Sequence, residues 1–299
     1  MRNLLCKVTA YVLLVVGLTP TAQPIDIQEY LAIKGPTPQA TFNYGAARSQ
    51  VVEFFRPAGR GPFPVAILIH GGCWLSEYGG LEQFRALAAA LARQGVATWS
   101  IEYRRVDEAG GGYPGTFEDI AAAVDMLGAK SAQLGLDPLR VIAVGHSAGA
   151  DLALWAAARG KIPEFSPLFE KNPLRIPTVI SVGGLPDLRT DAATIARSCR
   201  IATTSLTGTP SDARPDVFAD TSPAAMLPDG VDTIGINGAE DTIAPPYIAQ
   251  AYAALARQKG DQARVIVVDG ADHLDEATTS STVWPVLDAA ILEALRIRK

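Results

Sequence analysis

The chain has 299 residues, of which 48% are hydrophobic and 19% are charged. This composition is typical of a folded globular protein and excludes a largely disordered chain. The formal net charge is −5, and the Lys and Arg residues form no clustered stripe along the sequence. Without a basic surface to hold a phosphate backbone, nucleic acid is not expected as a partner.

The first residues differ in composition from the rest. Arg2 and Lys7 precede the apolar run 8–18, and small or polar residues follow it. A charged start before a short apolar run is typical of a secretory signal peptide, and this run is shorter than the roughly 20 residues that span a bilayer. We therefore predict a signal peptide over residues 1–22 and export to the periplasm or the extracellular space.

The predicted cleavage site has one weakness. Pro20 stands two positions before Ala22, where a small residue is usual. An uncleaved membrane anchor at the N-terminus is therefore the alternative. In both cases we expect one folded domain over residues 23–299.

Three cysteines are present, and Cys6 lies within the predicted signal peptide. Cys73 and Cys199 show neither a CxxC spacing nor the Cys/His spacing of a metal site, so we predict no metal. Two cysteines do not make a disulfide framework. Free, mostly buried thiols are the preferred interpretation, and a single disulfide is the alternative.

Seven apolar runs rich in β-branched residues recur along the chain, each bounded by glycine, proline or polar residues. Because these runs are apolar on both faces, they are typical of strands in a sheet that helices cover on both sides. The predicted strands are Gln50 to Phe55, Val65 to His70, Val96 to Ile101, Val141 to Gly145, Thr178 to Val182, Thr233 to Asn237 and Val265 to Val268.

Apolar residues at helical spacing lie between these strands. The predicted helices are 81–91, 117–127, Ala148 to Arg159, Pro246 to Lys259 and Val283 to Arg296. Thr116 is expected to cap the second of them, with Asp119 closing a capping box. The alternation of strand and helix predicts an α/β fold with a mainly parallel sheet.

The alternation fails once, over residues 188–230. This stretch holds a short helical pattern at Ala192 to Arg197, four prolines and no strand-like run. It is too short to build a large core of its own. We predict a compact insertion over the sheet, which could act as a small lid.

The strongest local signal for chemistry is the pentapeptide Gly145-His146-Ser147-Ala148-Gly149, a match to G-x-S-x-G. It follows a predicted strand and opens a predicted helix, which is the context in which a serine is exposed on a strained turn. The sequence therefore predicts Ser147 as a nucleophile. A helix N-cap after a glycine turn is the alternative.

A serine nucleophile needs a base, usually histidine. The chain has three histidines. His146 is expected to point away from its neighbour Ser147, and His70 ends a strand within another motif. His273 follows the last predicted strand, so elimination favours His273 as the base over a solvated loop histidine.

The base in turn needs a carboxylate to orient it. Asp241 follows the strand that ends at Asn237 and lies between Ser147 and His273 in the chain, which preserves the order Ser, Asp, His. Asp187 is the main competitor. The weaker candidates are Glu240, Asp269 and Asp272.

A glycine turn closes the strand that ends at His70, with the sequence His70-Gly71-Gly72-Cys73-Trp74. Acyl transfer generates an oxyanion, which backbone N–H groups in such a turn can stabilise by about 3 kcal/mol each. We predict that the N–H groups of Gly72, Cys73 and Ala148 form this oxyanion hole. An ordinary glycine turn is the alternative.

Together these motifs resemble the α/β-hydrolases, in particular HGG-type esterases near the hormone-sensitive-lipase, kynurenine-formamidase and bifunctional feruloyl/acetyl-xylan-esterase branches. The resemblance implies an eight-stranded sheet, no cofactor and hydrolysis of carboxylic esters or small amides. Cys73-Trp74 stands where the lipase-like members have another glycine, which favours the HGGxW branches. The matching segments are 70–74, 101–105, 145–149, 238–245 and 270–273, and the resemblance covers nearly all of residues 50–299.

The resemblance leaves three functions to separate. The first is a serine esterase that acts on small-molecule acyl or aryl esters, and the second is an aryl-formamidase or other small-amide hydrolase. The third is an inactive ligand-binding protein on a hydrolase scaffold, which the presence of Ser147, Asp241 and His273 disfavours. Fold alone does not choose the substrate.

Overall fold

The structure is a computed structural model that describes residues 25–297. The predicted signal peptide, residues 1–22, lies outside the described residues and stays a prediction. Within residues 25–297, no helix is both long enough and apolar enough to cross a membrane.

One sheet of eight strands organises the described chain, in the spatial order β1-β2-β4-β3-β5-β6-β7-β8. β1 pairs antiparallel with β2, and β2 pairs antiparallel with β4, while every other pair is parallel. The strands are β1 (Ala40–Asn43), β2 (Val51–Phe55), β3 (Phe63–Ile69), β4 (Ala97–Ile101), β5 (Leu136–His146), β6 (Thr178–Val182), β7 (Asp232–Gly238) and β8 (Ala263–Val268).

Helices cover both faces of this sheet. They are α1 (Ile27–Ala32), α2 (Leu81–Arg93), α3 (Gly115–Leu134), α4 (Ala148–Ala158), α5 (Ala192–Cys199), α6 (Thr204–Thr207), α7 (Pro246–Lys259) and α8 (Trp284–Ala294). The predicted α/β class with a mainly parallel, eight-stranded sheet is therefore confirmed. All seven strands predicted from apolar runs are present, and β1 is the eighth.

The apolar residues of the central strands divide between two cores. In β3, Ile67 and Ile69 pack in the core that includes residues of α3, α4 and α7. Leu68, between them, packs in the second core, with residues of α1, α2 and α8. This alternation follows from the two-residue period of a strand, so a sheet covered on both faces must be apolar at every position.

Helix α3 begins differently from the prediction. Pro114 occupies the N-cap position, and no side chain caps the helix. The Thr116 hydroxyl instead donates to the carbonyl of Arg104 at 2.6 Å. Asp119 accepts from the Arg104 guanidinium at 2.7 Å, so the predicted capping box is wrong and both side chains attach α3 to the chain after β4.

The stretch predicted as an insertion, residues 188–230, contains α5 and α6. An ion pair anchors it, in which the buried carboxylate of Asp220 accepts from the partly buried Arg214 at 2.5 Å. Asp220 also accepts hydrogen bonds from Ser166 and Tyr113, outside the insertion. These contacts attach the insertion to the chain on the α3 and α4 side of the sheet.

The topology brings the predicted site residues to one edge of the sheet. Ser147 directly follows β5, and His70 directly follows β3. Asp241 and His273 come a few residues after β7 and β8. Because these strands are parallel, their carboxyl ends meet at one edge, where chain segments diverge and leave a crevice for a ligand.

Candidate active site

Ser147 stands on a strained turn between β5 and α4. Its backbone has φ 54° and ψ −122°, a conformation that residues with a side chain rarely adopt. The Ser147 N–H donates to the carbonyl of Val182 at 2.8 Å, which attaches the turn to the end of β6. The turn presents the serine at the sheet edge, as the pentapeptide predicts.

The two glycines of the pentapeptide allow this turn by close backbone approach. A Cβ added to Gly145 would lie 2.1 Å from the carbonyl oxygen of Gly149. A Cβ added to Gly149 would lie 2.2 Å from the carbonyl oxygen of Ile69 on β3. Because backbone atoms are the obstacles, neither position accepts a larger residue without moving the turn.

His273 and Asp241 form the central hydrogen bond of the site. Nδ1 of His273 donates to Oδ2 of Asp241 at 2.8 Å. The other carboxylate oxygen, Oδ1, accepts from the backbone N–H groups of Ile243 and Ala244 at 2.7 and 2.9 Å. Every donor around Asp241 therefore favours the ionised carboxylate and fixes its orientation.

The electrostatics agree with this arrangement. Burial acts to raise the pKa of Asp241, but the hydrogen bond and charge of His273, with two backbone N–H groups, lower it below its usual value. Asp241 is thus a carboxylate at neutral pH. It orients the imidazole ring and leaves Nε2 of His273 available to another partner.

The competing acid lies elsewhere. Asp187 accepts hydrogen bonds from the backbone N–H groups of Arg189 and Thr190 in its own turn. Asp272 similarly accepts from the N–H groups of Leu274 and Asp275. The structure brings Asp241 to the His273 ring nitrogen and leaves both competitors in local turns.

His146 lies beside His273 rather than acting on Ser147. Its Nε2–H donates to the carbonyl of His273 at 2.9 Å, and the two rings lie 4.7 Å apart. Burial, followed by the charge of His273, lowers the pKa of His146 to about 3. His146 is therefore neutral and supports the backbone of His273.

The glycine turn after β3 contains two further strained residues. Cys73 and Trp74 have φ values of 53° and 55°, in the left-handed region, and follow Gly72 at 111°. The N–H of Leu75 donates to the carbonyl of Gly72 at 2.8 Å and closes the turn. Such strain persists only where the surroundings hold the backbone in place.

A disulfide between Cys73 and Cys199 supplies part of that support. The preferred interpretation of two free thiols is therefore wrong, and the single disulfide is correct. Cys199 ends α5, so the bond joins the glycine turn to the predicted insertion. Sequence spacing could not reveal the pairing, because 126 residues separate the two cysteines.

The side chain of His70 also supports the glycine turn. Its Nδ1 lies 2.7 Å from the carbonyl oxygen of Gly71, and its Nε2 lies 2.8 Å from Oε1 of Glu102. Both partners are acceptors, so each ring nitrogen faces a group that can accept an N–H hydrogen bond. The ring also stacks on Tyr103 at 4.7 Å.

Glu102 is a largely enclosed carboxylate that contacts both His70 and Arg105. Burial acts to raise its pKa, but the charge and hydrogen bond of His70, with the charge of Arg105, lower it to about 2. Glu102 also accepts from the N–H of Leu81 at 3.3 Å, which attaches α2 to the cluster. Glu102 lies in the matching segment 101–105 but was not predicted as a site residue, although it contacts the histidine of the glycine turn.

A cleft of about 490 Å³ contains Ser147 and His273 in its wall. Gly72 and Cys73 of the glycine turn line it, as do Ser198 at the end of α5 and Tyr30 of α1. Ala148 begins α4 beside this cleft, and its N–H belongs to the first turn, where a helix leaves N–H groups without intrahelical acceptors. The predicted nucleophile, base and oxyanion donors thus gather at one place.

One group of potential metal-ligating side chains occurs in the described part of the chain: His146, His273 and Glu276, with ligand atoms within 4.8 Å of one another. Nδ1 of His273 is bound to Asp241, and Nε2 of His146 is bound to a carbonyl. Because a metal would have to displace both hydrogen bonds, we assign no metal site to these residues.

A model of the BD-FAE family matches residues 53–254, about two thirds of the chain. The chain belongs to the BD-FAE family. The carboxylesterase NlhH of Mycobacterium tuberculosis is 34% identical over 102 residues, which cover 33% of this chain and 30% of that protein. The chain therefore spans less than a third of that curated relative's length.

Two solved structures have a similar fold over most of the length of this chain. Esterase B of Lactobacillus rhamnosis (HN001) has a TM-score of 0.73 and 20% identity, covering 90% of this chain and 89% of its own. A truncated carbohydrate esterase from gut microbiota has a TM-score of 0.71 and 21% identity, covering 88% of this chain and 100% of its own. These similarities confirm the α/β-hydrolase fold of this BD-FAE member.

The buried charge of Glu102 should make stability depend on pH. A carboxylate whose pKa is lowered on folding contributes stability above its unfolded pKa, and this contribution disappears as the pH falls through the folded value. Glu102→Gln should lower the free energy of unfolding by roughly 3 kcal/mol near neutral pH. The difference from wild type should shrink as the pH falls from about 4.5 towards 2, measured by denaturant unfolding.

Glu82→Gln is the matched control for this prediction. Glu82 pairs with Lys34 on the surface at 3.1 Å, and exposed pairs contribute about 1 kcal/mol or less. A Glu102→Gln variant that loses no more stability than the control would contradict a buried charge cluster beneath the glycine turn.

The disulfide should stabilise both the fold and the glycine turn. The chain-entropy model gives about 5 kcal/mol for a loop of this length. The double variant Cys73→Ser/Cys199→Ser should therefore show a lower free energy of unfolding and a lower kcat, because the backbone N–H of Cys73 is a predicted oxyanion donor. Denaturant unfolding checks the loss of stability, and steady-state kinetics normalised by active-site titration check the loss of kcat. An unchanged kcat per active site would show that the turn keeps its shape without the disulfide.

Proposed function

We propose that this protein is a serine carboxylesterase that hydrolyses small carboxylic esters through an acyl-enzyme on Ser147. The observation that carries the proposal is the 2.8 Å hydrogen bond to Asp241 from His273, which lines the same cleft as Ser147. A buried, oriented imidazole beside a serine on a strained turn is the arrangement that activates a hydroxyl nucleophile. Membership of the BD-FAE family and the similarity to a carboxylesterase support it.

The proposed reaction has two steps. Oγ of Ser147 attacks the ester carbonyl while Nε2 of His273 takes its proton, and Asp241 stabilises the resulting imidazolium. The alcohol leaves with the proton from His273. Water then attacks the acyl-enzyme by the same proton transfers and releases the acid, which restores the free serine.

The oxyanion of each tetrahedral intermediate needs N–H donors. We assign this role to the backbone of Gly72 and Cys73 on the glycine turn and of Ala148 at the start of α4. The strained φ values of the turn and its disulfide fit a backbone that is held before substrate arrives. Donors fixed in this way lower the barrier because they need no reorganisation during the reaction.

The cleft favours uncharged substrates. Its described lining contains no Lys or Arg, whereas the lining carboxylates are Asp26, Glu240 and Asp272. A substrate with its own carboxylate would find no cation to bind it and would meet negative charge. We therefore propose neutral acyl or aryl esters as substrates, tested on a panel of p-nitrophenyl acyl esters, feruloyl esters and N-formyl aryl amides. Preference for the formyl amides would favour the aryl-formamidase instead.

A phosphonate probe tests the nucleophile. An activated serine beside an oxyanion hole reacts rapidly with a fluorophosphonate fluorophore. We expect covalent labelling of the wild type and none of Ser147→Ala, with intact-mass measurement giving one adduct per chain. Labelling that survives this substitution would remove the central proposal, and an unlabelled wild type would favour a binding protein on a hydrolase scaffold.

The acid is tested by two isosteric variants. Asp241→Asn should leave the thermal midpoint nearly unchanged but lower kcat steeply, by about 10⁴ in the best-studied triad, or roughly 5.4 kcal/mol of transition-state stabilisation. Asp187→Asn is the matched control and should change kcat little, since Asp187 serves its own turn. Steady-state kinetics on one activated ester compare them. A larger loss in Asp187→Asn would reassign the acid.

We also propose that the protein is exported. The predicted signal peptide supports this, as does the disulfide, because disulfides persist in oxidising compartments. N-terminal sequencing of protein recovered from the periplasm or medium should find a first residue near Gln23. Recovery of membrane-bound protein that starts at Met1 or Arg2 would favour the anchor.

A further inference from the structure

A second carboxyl group lies beside the proposed triad. Glu276 belongs to a short 3-10 turn, Asp275–Ala277, three residues after His273. It is 1% exposed. Its Oε1 accepts a hydrogen bond from the N–H of Gly238 at the end of β7, at 2.5 Å, so the side chain is fixed between the two loops that carry Asp241 and His273.

The other oxygen of Glu276 has no donor. Oε2 lies 3.8 Å from Nδ1 of His273 and 3.9 Å from Nε2 of His146, and it accepts no hydrogen bond from any described residue. Both nitrogens already donate elsewhere, to Asp241 and to the carbonyl of His273. An ionised Oε2 would therefore be a buried anion without a hydrogen bond, which is costly.

The surroundings oppose ionisation of Glu276. Burial, and then the charge of Asp241, raise the pKa of Glu276 well above its usual value. The charge of Asp272 and a side-chain hydrogen bond between Glu276 and Asp241 raise it further. His146 cannot compensate, because it is neutral. Two carboxyl groups that share one histidine do not both ionise readily, and Asp241 is the one with its donors in place.

The backbone of Gly183 lies against the carboxyl group of Glu276, too close to allow a side chain at position 183. Gly183 follows β6 and has φ 54°. A Cβ at this position would lie 2.0 Å from Oε2 of Glu276 and 3.0 Å from Nδ1 of His273. The carboxyl group thus fills the volume beside the base that a side chain from the β6 turn would otherwise enter.

We propose that Glu276 is a positioning residue that acts as a neutral carboxylic acid, accepting from Gly238 and donating its own proton towards Asp241. In this role it holds the Asp241 carboxylate against Nδ1 of His273 and links the β7 and β8 loops. The inference rests on the proposed triad and adds a residue that takes no part in the covalent steps. A displacement of about 1 Å in such a group can lower a rate about a hundredfold.

Two variants distinguish a neutral acid from a charged one. Glu276→Gln matches the protonated acid, with one acceptor for Gly238 and one donor for Asp241, and should keep kcat within about threefold of wild type. Glu276→Met has a similar length but offers neither bond, and should lower kcat about tenfold to a hundredfold with little change in KM. Glu293→Gln, an exposed glutamate on α8 that pairs with Arg264, is the matched surface control.

The profile of kcat/KM against pH gives a readout that a purely structural role would not move. The titratable groups that face Glu276 are Asp241, His273, His146 and Asp272. If Glu276 is neutral, the substitution Glu276→Gln removes no charge. The acidic limb of the kcat/KM profile of this variant, between about pH 5 and 8, should then coincide with that of wild type. Removal of an ionised carboxylate would lower the pKa of the neighbouring base and shift this limb to lower pH.

Rates are expressed per serine titrated by the phosphonate, so that misfolded protein does not count as a loss of catalysis. The inference is overturned if Glu276→Gln has a kcat as low as that of Glu276→Met, or if Glu276→Met has the kcat of wild type. It is also overturned if the acidic limb of the Glu276→Gln profile moves to lower pH. Ser147→Ala in the same assay distinguishes a failure of the proposed triad from a failure of the role proposed for Glu276. Activity that survives Ser147→Ala refutes the triad. If Ser147→Ala is inactive but neither Glu276 variant changes kcat, only the role proposed for Glu276 is refuted.

Discussion

The site depends on one backbone constraint, the left-handed turn at Ser147. The turn exists because Gly145 and Gly149 let β5, α4 and the end of β3 approach to distances that no Cβ would allow. The resulting strain is opposed by the hydrogen bond from Ser147 to Val182 and by the burial of α4 between the sheet and its neighbours. A rigid, close-packed sheet can hold such a conformation, whereas an isolated loop would relax.

Two clusters of charge hold the loops on either side of that turn. On one side, Glu102 holds His70 beneath the glycine turn, and on the other, Asp241 holds His273. In both clusters a buried carboxylate bonds a histidine, but the surroundings differ. Arg105 supports the first carboxylate, while backbone N–H groups and the carboxyl group of Glu276 surround the second. The first cluster fixes a backbone, and the second leaves Nε2 of His273 available for proton transfer.

The sequence predicted the class of fold and the main site residues because each follows from a local pattern with a physical cause. Apolar runs identified seven of the eight strands, β2 to β8, and the placement of Ser147, Asp241 and His273 after parallel strands brought them to one edge. The short strand β1, Ala40–Asn43, has alternating exposure and lies at the end of the sheet, so its pattern was too weak to find. The role of Glu276 could not be predicted from the sequence either, because an acidic residue in a turn is usually exposed, whereas Glu276 is buried.

Helix α1 gives the N-terminal segment a place in the cleft. Ile25, Asp26 and Ile27 line the same cavity as Ser147, and the buried ring of Tyr30 packs in the core beside α2. The wall of the cleft is thus built partly from the first residues that the structure describes. A purification tag or fusion partner joined just upstream of Ile25 would therefore begin at the wall of the cleft. For recombinant material, the C-terminal end after α8, away from this edge, is the better attachment point for a tag or a solid support.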